Sequence, residues 1–84
     1  MEYLIEEKNN NIQRTRLYKV VGENGKITYR IMHRDKIHME EENTHYKRVD
    51  FAIEKFKWFA GIGYSKLELT EKCRNTPAKS SNFV

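Results

Sequence analysis

The sequence predicts an α+β domain in which a small antiparallel β-meander of about three strands packs against one amphipathic helix. Two strand-like runs flank the pair Asn24-Gly25, and this arrangement is a strong short-range signal for a β-hairpin. Apolar residues then recur at helical spacing between Thr44 and Gly61. The length of 84 residues allows one small hydrophobic core and is too short for two.

The predicted hairpin sets a register between its two strands. A type I′ turn centred on Asn24 and Gly25 would place Lys19 directly opposite Arg30. Two opposed cations are unfavourable, so this pair would need solvent, a neighbouring acid or a bound anion such as phosphate. The other face of the hairpin would be mostly apolar and would contain Tyr18, Val20, Tyr29 and Ile31.

The strands on either side of the hairpin are less sharply defined. Residues 3–5 predict a first short strand, and the asparagine cluster 9–11 predicts a turn after it. The third strand is expected to continue through residues 37–39, where apolar and polar residues still alternate, and the glutamates 40–42 are expected to end it. Residues 64–69 are ambiguous, and a fourth strand is one of their alternatives.

The helix is expected to begin at Asn43 or Thr44, since both are good N-cap residues, and to end at Gly61. Apolar periodicity is lost after the ambiguous segment that follows. The chain is therefore expected to form one compact domain over residues 1–69 and a flexible C-terminal tail over residues 70–84.

The predicted helix has two contrasting sides. Its core stripe contains Val49, Ile53, Phe56 and Ala60, with Ala52 and Phe59 at the margin. The opposite side carries aromatic rings among cations, namely Lys47, Arg48, Phe51, Lys55 and Trp58. Exposed Phe51 and Trp58 indicate a contact surface, either for unpaired bases that stack on the rings or for another protein chain.

The chain is moderately basic, with 16 Lys and Arg against 12 Asp and Glu. Between residues 8 and 36 there are eight cations and two acids. These cations predict a phosphate-binding sheet face formed by Arg16, Lys19, Lys26, Arg30 and Arg34. A solvated sheet face without a ligand explains the same cations equally well.

No residue pattern identifies a reaction, a cofactor or a metal. His33, His38 and His45, taken with Cys73, match no compact zinc-ligand spacing, so no metal is expected. A ribonuclease that uses His33 or His38 with Lys36 as acid and base is a minor alternative. The protein is therefore expected not to be an enzyme.

The sequence also indicates a compartment. Cys73 is the single cysteine, which excludes an intramolecular disulfide and favours a reducing environment. The acidic N-terminus lacks the features of a signal peptide, and no apolar run approaches the length of a membrane span. A cytoplasmic protein without membrane contact is expected.

The small size, the enrichment in Lys, Asn and Ile, and the basic hairpin followed by an aromatic helix resemble the small early proteins of T-even-type bacteriophages. Within that group the chain is similar in size and charge to phage inhibitors of the ToxN ribonuclease. The resemblance rests on overall character across the whole chain. It implies an RNA-associated, self-associating counter-defence protein that acts in the host cytoplasm and silences a toxin–antitoxin system.

Together these observations predict a protein that binds RNA or another single-stranded nucleic acid and that forms a homo-oligomer. One alternative is an inhibitor or adaptor that docks Phe51 and Trp58 on a host defence protein. A purely structural homo-oligomer is the third alternative.

Overall fold

The computed structural model describes residues 1–77, which form a four-stranded antiparallel sheet and two helices. The strands follow one another as a meander: β1 (Glu2–Asn9), β2 (Gln13–Val21), β3 (Ile27–Asp35) and β4 (Glu40–Tyr46). The helices come next: α1 (Val49–Ala60) and α2 (Lys66–Asn75). The predicted α+β meander is confirmed, with a fourth strand and with a second helix that was not predicted.

The hydrophobic core lies between one face of the sheet, here the inner face, and the helices. Leu17 and Ile31 from the sheet pack with Ile53 and Phe56 from α1 and with Leu69 from α2, and each of these is 2% exposed or less. Burying a side chain of this size stabilises the fold by about 1.5–3 kcal/mol. Helix α1 therefore buries the stripe that its periodicity predicts.

The β2–β3 hairpin is present, but its loop is longer than predicted. The backbone N–H of Gly22 donates to the carbonyl of Lys26 at 2.8 Å, and that of Gly25 donates to the carbonyl of Gly22 at 2.9 Å. Among the described non-glycine residues only Met39 has a positive φ, so Asn24 does not adopt the conformation that a type I′ turn requires. Gly25 has φ +83°, which fits a type I turn followed by a left-handed glycine.

The longer loop shifts the predicted register by one residue. Lys19 pairs with Tyr29 on the inner face, whereas Arg30 pairs with Tyr18 on the opposite, outer face. The predicted opposition of Lys19 and Arg30 is wrong, and Tyr18 and Val20 lie outside the apolar face where they were expected. A strand alternates its faces with a period of two, so a shift of one residue exchanges them.

Strand β3 ends at Asp35 and does not continue through residues 37–39 as predicted. Asp35 Oδ1 accepts hydrogen bonds from the backbone N–H groups of Ile37 at 2.9 Å and His38 at 3.1 Å, an Asx turn that reverses the chain. The three glutamates then begin β4, although they were expected to end a strand. Strand β4 is an edge of the sheet, where charged side chains discourage pairing with other chains.

Helix α1 begins at Val49, later than predicted, and Arg48 is its N-cap without a side-chain cap hydrogen bond. Asn43 and Thr44 were predicted as N-caps, and this prediction is wrong because both pair with β3 in the sheet. The helix ends before Gly61, as predicted, and this glycine has φ +86°.

The ambiguous segment and the first part of the predicted tail form α2. Ser65 is its N-cap, and Ser65 Oγ accepts a hydrogen bond from the backbone N–H of Glu68 at 3.3 Å. Leu69 and Cys73 are 2% and 1% exposed in the core. The predicted start of the tail is therefore wrong, and residues 78–84 of that tail lie outside the described residues.

Candidate nucleic-acid interface

The outer face of the sheet carries arginines that were predicted to bind phosphate, and they are already paired with acids. Arg30 Nε and Nη2 each donate to one carboxylate oxygen of Glu2 at 2.8 Å, and the guanidinium lies 4.3 Å from the Tyr18 ring centroid. Arg16 Nε donates to Glu7. These carboxylates raise the pKa of both guanidinium groups, and the hydrogen bond from Arg30 lowers the pKa of Glu2. A phosphate would have to displace the carboxylates.

The other two predicted cations of this hairpin differ in their surroundings. Arg34 Nη1 lies 3.6 Å from Glu41 Oε1, and both side chains are well exposed. Lys26 is exposed near the hairpin tip and forms no ion pair within the described residues. The outer face therefore presents mixed charge.

Lys19 lies on the inner face and has a structural role. Its ammonium donates to the carbonyls of Cys73 at 2.8 Å and Thr76 at 2.6 Å, at the C-terminus of α2, and the residue is 7% exposed. Lys8 donates in the same way to the carbonyl of Ala60 at the end of α1, at 2.8 Å. Lysines at these ends donate to carbonyls of the last turn and the C-cap, and they complement the helix dipole. The placement of Lys19 in a phosphate site is therefore wrong, because its side chain is buried and engaged.

The exposed side of α1 has the character that the sequence predicts. Phe51 is 54% exposed and Trp58 is 73% exposed. The Arg48 guanidinium lies 4.7 Å from the centroid of the Phe51 ring. The Lys55 ammonium lies 4.5 Å from the Trp58 ring and 4.8 Å from the Phe59 ring, within the range of cation–π attraction. Cations and aromatic rings thus form one surface.

Two cations of the predicted helical face lie outside the helix itself. Lys47 follows β4 and is exposed, with no ion pair in the described part of the chain. Arg48 is the N-cap, and its Nη2 lies 2.9 Å from Asp50 Oδ2. Arg48 still flanks the Phe51 end of the surface.

A shallow groove of about 450 Å³ crosses this surface, lined by Tyr46, Phe51, Glu54, Lys55 and Trp58. Two of these residues, Tyr46 and Glu54, were not among the predicted site residues. Tyr46 was assigned to the helix, although it ends β4. Glu54 lies on the same side of the helical wheel as Phe51 and Trp58, so its place on this surface could have been predicted from the helical spacing. We call these five residues the α1 groove.

An acidic cleft of about 550 Å³ adjoins the α1 groove and shares Lys55 and Trp58 with it. Its lining comprises His33, Asp35, Glu40, Glu41, Glu42, Lys55, Trp58 and Phe59. His33 stacks on Phe59, with ring centroids 4.0 Å apart, and its Nδ1 lies 2.8 Å from Thr15 Oγ1. The carboxylates repel phosphate, so an anionic ligand would favour the groove over the cleft.

The groups considered for a ribonuclease contact different partners. His38 Nδ1 lies 2.8 Å from Asp35 Oδ2, and Lys36 Nζ donates to Asn9 Oδ1 at 2.6 Å, whereas His33 packs against α1. None of the three contacts another by a hydrogen bond in the described structure. Among residues 1–77 no three His, Cys, Asp or Glu side chains are arranged as a metal site.

No protein-family model, curated protein or solved structure matches this chain. Neither helix in the described part of the chain is long and apolar enough to cross a membrane. The function is therefore inferred from the chemistry of the surfaces.

Proposed function

We propose that the protein binds single-stranded nucleic acid, RNA in the first place, through the α1 groove and without catalysing a reaction. The observation that supports this most is the exposure of Phe51 and Trp58 beside Arg48 and Lys55. Unpaired bases stack on such rings with about 1–3 kcal/mol per base, and neighbouring cations hold the phosphates.

The outer face of the sheet has a secondary part in this proposal. Arg16 and Arg30 hold carboxylates, so direct phosphate contacts there would compete with existing ion pairs. The formal charge of +4 still attracts an anionic strand at long range, and this attraction weakens as salt rises.

Size-exclusion chromatography with light scattering and absorbance detection tests the proposal. Protein purified from cells at low salt is expected to carry nucleic acid, seen as a raised ratio of absorbance at 260 to 280 nm. A high-salt wash is expected to release it, because salt weakens phosphate contacts. Protein that stays free of nucleic acid at low salt, and that binds no added RNA, would contradict the proposal.

We also propose that the protein self-associates, and the same light-scattering measurement gives its mass. The exposed apolar rings of α1 and the edge strand β1 support this, since β1 pairs on one side only in the described structure. The resemblance to early phage proteins suggests the setting, namely counter-defence against a host toxin–antitoxin system in the host cytoplasm. Loss of toxin inhibition in cells on substitution of the groove would support that setting.

Docking on a host protein is the second candidate function. The observation that favours it is the acidic cleft beside Trp58. The carboxylates of this cleft would attract the cationic side chains of a protein and repel the phosphates of a nucleic acid. Under this alternative the chain would stay free of nucleic acid, and substitution of Phe51 and Trp58 would abolish association with that protein.

A further inference from the structure

The α1 groove contains one carboxylate between its two exposed rings. Glu54 follows Phe51 by three positions and precedes Trp58 by four, so all three side chains share one side of the helix. Its nearest cation is Lys66, whose Nζ lies 3.8 Å from Glu54 Oε1, and the two side chains are 58% and 52% exposed. An ion pair this exposed has a small interaction energy, so the Glu54 carboxylate remains available to a ligand.

We infer that the α1 groove prefers guanine among the four common bases, an inference that rests on the proposed nucleic-acid binding. An ionised carboxylate only accepts hydrogen bonds, and it offers two oxygens side by side. The Watson–Crick edge of guanine presents two adjacent donors, the N1–H and the N2 amino group. Adenine and cytosine place an acceptor beside their amino group, and uracil presents one N–H between two carbonyls. Only guanine therefore satisfies both oxygens at once.

The spacing of the groove allows a base to stack and to reach the carboxylate. At about 1.5 Å of rise per residue, Phe51 and Trp58 lie roughly 10 Å apart along the helix axis, with Glu54 about midway. A base on either ring can thus direct its edge toward Glu54. The Lys55 ammonium contacts the Trp58 ring, where it can meet the phosphate of the same nucleotide.

Short oligonucleotides that differ at one base test this inference. We would titrate the full chain with uridine oligonucleotides of about eight residues, a length within the range that single-strand-binding domains cover. The central nucleotide would be uridine, guanosine or inosine, and inosine lacks only the N2 amino group of guanosine. Trp58 is the single tryptophan, so quenching of its fluorescence reports stacking in the groove.

The guanosine oligonucleotide is expected to bind about fivefold more tightly than the uridine one, the low end for a bidentate contact because the site is exposed. Inosine is expected to fall between them. Glu54→Gln should remove most of the preference, because an amide replaces one acceptor oxygen with a donor. Glu71→Gln is the matched control: it removes the same charge from α2, where Glu71 pairs with Arg74, and should keep the preference.

Equal affinities for the three oligonucleotides would overturn the guanine inference and leave nucleic-acid binding standing. A guanine preference that survives in Glu54→Gln would also overturn it, because another group would then recognise the base. Failure of all three oligonucleotides to bind at low salt would refute the proposed function and this inference with it. Circular dichroism of both variants establishes that they are folded.

Discussion

The outer face of the sheet and the exposed side of α1 both place cations beside aromatic rings, but the cations contact different groups. Arg30 lies over Tyr18 and also donates to both oxygens of Glu2. Lys55 contacts the Trp58 ring and has no carboxylate partner among residues 1–77. An arginine that holds a carboxylate must exchange it for a phosphate, whereas a lysine over a ring keeps its charge available. We therefore expect the exposed side of α1 to bind an anion more readily than the outer face of the sheet.

Removal of the two exposed rings should have the largest effect on binding. We expect Phe51→Ala with Trp58→Ala to weaken RNA affinity by about 30-fold or more, since each stacked base contributes roughly 1–3 kcal/mol. Both side chains are more than half exposed, so the unfolding free energy should change by less than about 0.5 kcal/mol. Anisotropy of a labelled oligonucleotide measures the affinity, and urea denaturation measures the stability.

Leu67→Ala is the control for this double variant, because Leu67 is 72% exposed on α2, outside the groove. It should bind RNA like the unsubstituted protein. If the double variant and Leu67→Ala both bind RNA as tightly as the unsubstituted protein, the binding surface lies outside the α1 groove. The sheet then becomes the leading candidate.

Lys19 adds a third kind of cation to the comparison, one whose charge is used within the fold. Lys19→Met should lower the free energy of unfolding by about 2 kcal/mol, because two carbonyls at the end of α2 lose a charged donor. Denaturant unfolding followed by circular dichroism measures this loss. Lys26→Met at the exposed hairpin tip should change the free energy of unfolding by less than about 0.5 kcal/mol. A stable Lys19→Met protein with weakened RNA binding would instead place Lys19 at the ligand.

Charge reversal compares the two surfaces directly. Lys55→Glu should weaken RNA binding by about tenfold, whereas Arg34→Glu on the sheet should weaken it by about twofold, the level of a general field effect. Both changes alter the net charge equally, so titrations at low and high salt separate local contact from the long-range field. Equal losses in the two variants would show that net charge alone governs affinity.

Periodic patterns in the sequence predicted the elements that depend on local chemistry. The alternation around Gly25 indicated the hairpin, and the helical spacing identified Ile53 and Phe56 as buried and Trp58 as exposed. The exposure of Phe51 and Trp58 follows from the helical wheel alone. The core stripe on the other side of α1 is sufficient to cover the sheet, so these two rings are left facing outward. This part of the candidate site was therefore accessible from sequence.

The remaining features depend on contacts between distant residues. Asn24-Gly25 suits two loop types that differ by one residue, and the pairing of Leu17 with Ile31 in the core fixes the longer one. The glutamates of β4 have low strand propensity, yet Glu41 pairs with Arg34 across the sheet. The acidic cleft depends on this strand and could not be predicted without it.

The smallest expected effect concerns the ion pair between Arg30 and Glu2. The hydrogen bond from Arg30 lowers the pKa of Glu2 below its ordinary value of 4.5, so the folded protein holds this proton less tightly than the unfolded chain. The stabilisation is present above that ordinary value and is lost as the pH falls through the lowered pKa. The thermal stability of the unsubstituted protein should therefore exceed that of Glu2→Gln at neutral pH, and the difference should shrink in acid.

Glu23→Gln at the exposed hairpin tip is the control, because Glu23 forms no ion pair in the described part of the chain. A stability difference for Glu2→Gln that persists in acid would mean that packing, not charge, holds the N-terminal strand there. Glu2→Gln also sharpens the comparison of the two surfaces, since it leaves Arg30 without its carboxylate. If occupancy by Glu2 is what keeps phosphate from the sheet, this variant should bind RNA slightly more tightly, and the added affinity should be the first part lost as salt rises.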